Sequence, residues 1–189
     1  MIIAITGGIG SGKSYVCNRL SAHGIQVYDS DAAAKRLMRT SIKLQEKLSA
    51  EVGEAVFKDG ALQKAVLAKY LLQSSDNAAA INNIVHPAVA TDFEQSGYTW
   101  IESAILFDSD FIHRTHIDKV VCVLAPEAIR VERIMARDGI SEAKALAWIH
   151  RQMAQEEVAQ RSDYTILNDG KADVNKQISQ ILEQLEINK

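Results

Sequence analysis

The stretch that decides the fold is residues 1–15, which read MIIAITGGIGSGKSY. It contains the pattern G-x-x-x-x-G-K-S from Gly7 to Ser14, between an apolar β-branched run and a helical pattern. Glycines let backbone N–H groups approach phosphate oxygens, and the start of the following helix adds free N–H groups and a positive dipole end. The pattern predicts that Lys13 reaches the β and γ phosphates and that Ser14 ligates Mg²⁺. These residues therefore indicate a nucleoside triphosphate site.

The rest of the loop is expected to surround the same nucleotide. The predicted cofactor-binding residues are Gly8, Ile9, Gly10, Ser11, Gly12, Lys13, Ser14 and Tyr15. A dinucleotide-binding fingerprint is excluded by spacing, because the third glycine counted from Gly8 and Gly10 would fall at position 13, which is Lys13.

The composition is that of an ordinary globular chain. It has 189 residues, 47% hydrophobic and 24% charged, which suits a single domain with a sizeable core. The net charge of −3 gives no general attraction to nucleic acid or anionic membrane. No stretch approaches the roughly 18 apolar residues of a membrane span, and no signal-peptide pattern opens the chain. We therefore expect a cytoplasmic protein without nucleic-acid or membrane partners, and no feature indicates an oligomeric state.

The two cysteines point to packing rather than to metal binding. Cys17 and Cys122 lie far apart in sequence, and neither has a metal-ligating neighbour at close spacing. We expect two buried thiols.

The hydrophobic pattern predicts an α/β fold with a parallel sheet. A first strand, a glycine loop, a helix over 13–23 and a second strand over 25–28 form a βαβ unit. Residues 32–95 are mainly helical, which is too long for an ordinary crossover, so they are expected to form an inserted helical subdomain. Later strands are predicted at 98–103, 119–125 and 163–168. Helices are predicted at 126–137, after Ser141, and at 173–187, the last ending at Ile187.

Among proteins with this loop, the sequence favours a kinase over a GTPase switch or an ATPase motor. The chain has no D-x-x-G, and the Asn-Lys pair at Asn175–Lys176 lies in a predicted helix and is followed by Gln-Ile rather than by x-Asp. The strand YTWIES ends in one acid, Glu102, rather than in an Asp-Glu pair. A kinase needs a base near the γ-phosphate and cations that neutralise the transferring group.

Candidates for both roles are present. Asp29 and Asp31 follow the second strand, at the edge of the sheet where the phosphate loop is expected. Arg130, Arg133 and Arg137 are spaced to share one face of the helix after the fourth strand. Structural alternatives remain open: either aspartate can cap the next helix, and an arginine stripe can be a solvated face. His86, before Pro87, can mark a turn or a helix start.

Several motifs together resemble the dephospho-CoA kinase family. They are TGGIGSGKS, then YDSD, VHP at residues 85–87, ESAILFDS at 102–109, RxxRIMARDG from Arg130, and ND before Gly170, in that order. The resemblance spans nearly the whole chain. It implies a single P-loop kinase domain over 1–189 with a three-layer core, a helical CoA-binding insert at 32–95 and a helical lid at 126–160.

The resemblance also implies roles for particular residues. Asp31 is expected to be the general base. Lys13 and Arg133 are expected to stabilise the transferring phosphoryl group, with Arg137 as a second candidate for that role. The other expected positions are Thr6, Asp29 and His86 on the acceptor side, and Ser14 and Glu102 at the metal. The sequence differs from the family pattern at four of its positions: Tyr15 stands where Thr is more common, Glu102 replaces Asp, Ala104 replaces Pro, and Asp108 replaces Glu.

The hypothesis is therefore ATP-dependent phosphorylation of the ribose 3′-hydroxyl of dephospho-CoA, with Mg²⁺ as cofactor. The alternative within enzymes is another P-loop kinase acting on a nucleoside, a nucleotide or a small alcohol. A nucleotide-binding regulatory module is the alternative from a different class, and it would bind ATP without acceptor-stimulated turnover.

Overall fold

The computed structural model describes residues 1–186. The chain forms two compact units. The first unit contains Met1–Tyr28, Tyr98–Ile112 and the chain from His116 onward. The second contains Asp29–Gly97 and His113–Thr115.

The strands and helices alternate along the first unit. It begins with β1 (Ile3–Thr6), α1 (Lys13–Ser21) and β2 (Val27–Asp29), whose last residue already belongs to the second unit. The second unit then provides α2 (Ser30–Thr40), α3 (Ile42–Val52), β3 (Phe57–Lys58), β4 (Ala61–Leu62), α4 (Lys64–Leu71) and α5 (Ser75–Ser96). The first unit resumes with β5 (Trp100–Glu102), β6 (Lys119–Leu124), α6 (Glu127–Asp138), α7 (Glu142–Ile149), α8 (Gln155–Gln160), β7 (Tyr164–Leu167) and α9 (Val174–Gln184).

The main sheet has five strands in the order β2-β5-β1-β6-β7. β1 pairs in parallel with β5 and with β6, and β6 pairs in parallel with β7. Because parallel strands bring their carboxyl ends to one edge, the segments after β1, β5, β6 and β7 all leave the sheet at that edge. The parallel α/β fold predicted from the sequence is confirmed.

The centre of the sheet is buried on both faces at β1. All four residues of β1 are buried, as expected of a central parallel strand. One core cluster joins β1 to α1 and α9 through Ile5, Val16, Leu20, Ile178 and Leu182. The apolar stripe of α9 faces this cluster, and the predicted extension of that helix to Ile187 lies outside the described residues.

The second unit is built from helices around its own apolar residues. Leu44 and Leu48 of α3 are buried, as are Ile81, Val85, Val89 and Phe93 of α5. A cavity of about 360 Å³ lies among α2, α3 and α5. Its lining includes the apolar Leu37, Leu44 and Pro87 and the lysines Lys43 and Lys47.

Most predicted boundaries agree with the structure to within two residues; the second strand, for example, begins at Val27 rather than at Ile25. Within the segment expected to be mainly helical, residues 57–62 form a hairpin of β3 and β4, with positive φ at Asp59 and Gly60. One local prediction was wrong. His86 and Pro87 mark neither a turn nor a helix start, because both lie inside the 22-residue helix α5.

Within residues 1–186, no helix is long and apolar enough to cross a membrane.

Candidate active site

The loop between β1 and α1 has a backbone that requires glycine at specific positions. Gly12 has φ 93°, and a Cβ there would collide with the side-chain nitrogen Nδ2 of Asn168. Gly10 has φ 80°, and a Cβ there would lie 2.7 Å from the carbonyl oxygen of Arg130. Both positions combine a left-handed backbone with close approach of another segment, which only glycine tolerates. The loop is therefore pressed against the residues that follow β6 and β7.

Three consecutive carbonyl groups of the loop are bound by side chains from those segments. Arg130 Nε donates to the carbonyl of Ile9 at 2.9 Å. Arg133 Nη1 donates to the carbonyls of Gly10 and Ser11 at 3.3 and 3.2 Å. Asn168 Nδ2 also donates to the Ser11 carbonyl, at 2.9 Å. The loop carbonyls thus point toward α6 and the end of β7.

Several N–H groups of the loop are available to bind an anion. Across the described part of the chain, the backbone N–H groups of Gly10, Gly12, Lys13 and Ser14 donate to no protein acceptor. Lys13 and Ser14 also open α1, where the first N–H groups of a helix have no intrahelical partner and the dipole end is positive. This arrangement is a phosphate-binding nest.

Lys13 and Glu102 lie side by side at the carboxyl edge of the sheet. Glu102 ends β5 and is in register with Ile5 of β1. Lys13 Nζ donates to the carbonyl of Gly7 at 2.9 Å and lies 3.6 Å from Glu102 Oε1. The Ser14 hydroxyl is exposed on the next residue. A hydroxyl and a carboxylate are the hard oxygen donors that Mg²⁺ prefers, so these residues fit a magnesium ion held with the phosphates.

The three arginines of α6 do not act as one group. Arg130 is buried, and burial lowers the pKa of its guanidinium. Arg133 reaches the loop, and its Nη2 also donates to the carbonyl of Asn168 at 3.0 Å. Arg137 is exposed, and its hydrogen bonds to Asp138 raise its pKa. The arginine stripe therefore divides into two residues on the loop and one at the surface.

Tyr15 and Thr6 occupy very different surroundings. Tyr15 lies on the exposed side of α1, where its hydroxyl accepts a hydrogen bond from Arg19 at 3.0 Å. The Arg19 guanidinium also lies 4.8 Å from the centre of the Tyr15 ring. Thr6 is buried as the last residue of β1.

Asp29, Asp31 and His86 belong to the second unit. Asp29 is the N-cap of α2, and its Oδ1 accepts the N–H of Ala32 at 2.8 Å. Asp31 is exposed in the first turn of the same helix. His86 is half-buried in the middle of α5, which packs against α2. One of the alternatives left open by the sequence, an aspartate cap, is therefore what Asp29 provides.

Sequence reasoning missed two residues that contact the loop, Gln152 and Asn168. Asn168 directly follows β7, so its position at the carboxyl edge of a parallel sheet was a usable signal. Gln152 lies in the turn between α7 and α8, and its Oε1 accepts the N–H of Ile9 at 2.7 Å. Nothing in its sequence surroundings indicates that contact.

Cys122 of β6 also lies close to the site. Burial raises the pKa of its thiol to about 11, and the nearby charges of Lys13 and Arg130 partly oppose that rise. The thiol is therefore neutral at physiological pH and acts as a small apolar side chain.

These features define the class of P-loop kinases. They are a parallel sheet, a glycine loop at its carboxyl edge, a lysine at the start of α1 and arginines from a later helix. The comparisons with known proteins narrow this class. The family model described as dephospho-CoA kinase matches residues 1–173. The chain is 40% identical over 187 residues to a dephospho-CoA kinase of Bacteroides fragilis, an alignment that covers 95% of this chain and 90% of that protein. It is 42% identical over 173 residues to one of Porphyromonas gingivalis, covering 88% and 85%.

Solved structures share the fold of this chain. The crystal structure of TT1252 from Thermus thermophilus is 32% identical, with a TM-score of 0.83, and the alignment covers 98% of this chain and 97% of that one. The dephospho-CoA kinase structure from Campylobacter jejuni shares the fold, with a TM-score of 0.65 at 20% identity, and the alignment covers 100% and 98%.

This chain belongs to the dephospho-CoA kinase family. Its activity is the ATP-dependent phosphorylation of dephospho-CoA that completes coenzyme A biosynthesis.

Proposed function

We propose that this chain transfers the γ-phosphoryl group of Mg²⁺-bound ATP to the ribose 3′-hydroxyl of dephospho-CoA, with Asp31 as the general base. The hydroxyl proton passes to the Asp31 carboxylate while the new O–P bond forms. The bond between the γ-phosphorus and its bridging oxygen breaks, and ADP leaves. The donor half of the proposal rests on the orientation of the loop. Side chains bind the carbonyls of Ile9, Gly10 and Ser11, while within residues 1–186 the N–H groups of Gly10, Gly12, Lys13 and Ser14 donate to no protein acceptor.

At the donor end, Lys13 is proposed to contact the β and γ phosphates. Its present bonds to the Gly7 carbonyl and to Glu102 keep the ammonium beside the loop. When bound, Mg²⁺ would neutralise charge on the phosphate oxygens, and Ser14 and Glu102 are the residues proposed to hold it. Tyr15 is proposed to take no direct part, because its hydroxyl is bound to Arg19.

Arg133 and Arg137 of α6 are proposed to have different roles. Two nitrogens of Arg133 are already bound to loop and Asn168 carbonyls, so we assign it to holding the loop and to long-range charge stabilisation. Among residues 1–186, Arg137 is bound only to its neighbour Asp138 at the surface, so its guanidinium is the better candidate for direct contact with the transferring group. The expectation that residues 126–160 act as a lid stays a prediction.

At the acceptor end, the second unit is proposed to bind dephospho-CoA. Asp29 holds the start of α2 as its cap, which fixes the backbone that carries Asp31. The cavity among α2, α3 and α5 combines an apolar lining with Lys43 and Lys47, which suits an apolar arm attached to phosphate groups. Roles for Thr6 and His86 on the acceptor side also stay predictions, as does the cytoplasmic location.

The experiment that tests this proposal replaces Asp31. Asp31→Asn is expected to lower kcat by about 10²–10⁴-fold with little change in ATP binding, because a general base acts only on the chemical step. Asp76→Asn is the matched control, since Asp76 is also an acid in the first turn of a helix of the second unit. Near wild-type turnover by Asp31→Asn would mean that Asp31 is not the base.

A further inference from the structure

The peptide groups on either side of Ile9 are each bound by a side chain far away in sequence. The N–H of Ile9 donates to Gln152 Oε1 at 2.7 Å. The carbonyl of Ile9 accepts from Arg130 Nε at 2.9 Å. We call Gln152 and Arg130 together the Ile9 clamp. Neither residue has a place in the chemistry described above.

The clamp determines the direction of two consecutive peptide planes. In a trans peptide the C=O and N–H groups point in opposite directions. Because the Ile9 carbonyl points to Arg130, the N–H of Gly10 points the opposite way, among the unbound N–H groups of the nest. Because the Ile9 N–H points to Gln152, the carbonyl of Gly8 points away from Gln152, and it accepts the N–H of Ser11 at 3.1 Å.

A clamp is needed here because the chain on both sides of Ile9 is glycine. Gly8 and Gly10 give these two planes far more conformational freedom than other residues would, and ordering them costs free energy. The space at Gly8 is also filled by the clamp, since a Cβ there would collide with Arg130 Nη2 and lie 3.3 Å from Gln152 Oε1. The loop and the clamp therefore fit each other closely.

Gln152 is itself held in place by its surroundings. The residues that follow it are tied to the segments after β5 and β6: Met153 N–H donates to Asp108 Oδ1 at 3.1 Å, and Gln155 Oε1 accepts the N–H of Ala125 at 3.0 Å. The Gln152 N–H donates to the carbonyl of Ile149 at 3.2 Å. The amide of Gln152 thus reaches Ile9 from a fixed backbone.

We propose that Gln152 is a positioning residue that, with Arg130, pre-organises the phosphate loop for the triphosphate of ATP. The inference rests on the proposed function only in taking ATP as the nucleotide. Its effect is on ATP affinity. Without Gln152, the free-energy cost of ordering the loop would be incurred when ATP binds, and the affinity would fall by that amount. It predicts no effect on the acceptor.

The test compares Gln152→Met with Gln160→Met. Met keeps the length of the side chain and removes the acceptor, and Gln160 is an exposed residue of α8 that makes a matched control. Direct titration with Mg²⁺-ATP is expected to give a Kd raised about tenfold in Gln152→Met, because the loss of one hydrogen bond changes affinity by about that factor. The Kd of Gln160→Met is expected to be unchanged. The KM for dephospho-CoA and the Tm are expected to stay close to the wild-type values.

A second measurement follows the hydrogen bond itself. Hydrogen exchange of the Ile9 amide is expected to be slow in the wild type, faster in Gln152→Met and slow again in Gln152→Glu, which restores an acceptor oxygen. An unchanged ATP Kd in Gln152→Met, or unchanged exchange at Ile9, would overturn the proposal. An equal rise in the KM for both substrates with a large drop in Tm would also overturn it, in favour of a purely structural role.

The two proposals fail in different ways. A wild-type chain that binds ATP but does not phosphorylate dephospho-CoA would contradict the proposed function. The ATP titration of Gln152→Met would still decide the role of the clamp, because it needs no acceptor.

Discussion

Three residues of the phosphate loop, Ile9, Gly10 and Ser11, are oriented by partners outside the loop. Arg130, Arg133 and Asn168 bind its carbonyls, and Gln152 binds the N–H of Ile9. Glycine motifs are usually explained by what they allow, which is close approach of a phosphate. Here Gly12 is needed equally because the Asn168 side chain occupies the space of its Cβ.

That observation predicts the effect of one methyl group. Gly12→Ala places a Cβ at φ 93° against Asn168, so it is expected to lower the free energy of unfolding by about 2 kcal/mol and to weaken ATP binding strongly. Gly24→Ala is the control, because Gly24 also has positive φ, 74°, but a Cβ there meets nothing within 4 Å. It is expected to cost about 1 kcal/mol without changing ATP binding. Equal ATP affinities in the two variants, measured by calorimetry, would contradict this account of the loop.

The sequence alone predicted which residues form the loop but not what holds them. The G-x-x-x-x-G-K-S spacing is a local signal, so the nest and Lys13 could be located from it. The contacts of Arg133 and Gln152 with the loop span 122 and 143 residues, and no local pattern reports such distances. The nucleotide contact expected of Tyr15 from its adjacency to the motif stays a prediction, and its hydroxyl accepts a hydrogen bond from Arg19.

At the level of elements, α6 carries residues that contact the nucleotide loop and a residue that lies at the protein surface. Its three arginines are spaced regularly in sequence but end in different surroundings, because Arg130 and Arg133 meet the loop while Arg137 extends past it. Regular spacing on a helix predicts a shared face. It cannot predict where along that face the neighbouring loop ends.

This division predicts different kinetic effects for two substitutions. Arg133→Met is expected to raise the ATP Kd about tenfold and to lower the Tm by several degrees, because three carbonyls lose a donor. Arg137→Met is expected to leave the Tm unchanged and to lower kcat by about 10²-fold, if its guanidinium meets the transferring phosphoryl group. Steady-state kinetics and thermal melts on both variants measure these effects. The reverse pattern, with kcat lost in Arg133→Met alone, would restore the original assignment of Arg133 to the chemistry.

Other elements show which features the hydrophobic pattern and the turn residues can predict and which they cannot. The cap of α7 by Ser141 and the end of α6 at Gly139 follow the expected chemistry of helix ends. Pro87 misled the sequence reading, because a proline within a long helix is disfavoured locally. The packing of Val85, Val89 and Phe93 in the second unit accounts for the helix continuing through it.

For the whole molecule, the fold could be predicted because its signals are periodic and local. The apolar runs of β1 and β6 and the stripe of α9 are enough to indicate a parallel sheet covered by helices. The acceptor is different, since no motif in the phosphate loop specifies it. Its identity came from the order of several motifs along the chain, and the family relationship supports the same substrate.

The most direct test of the central claim is acceptor-dependent ADP production. The purified chain is incubated with Mg²⁺-ATP and either dephospho-CoA or a panel of nucleosides, nucleotides and small alcohols. The account predicts ADP release that requires dephospho-CoA, one ADP for each coenzyme A formed, with the new phosphate on the ribose 3′-oxygen. ADP release with a member of the panel but not with dephospho-CoA, or ATP binding without any acceptor-stimulated ADP release, would contradict it.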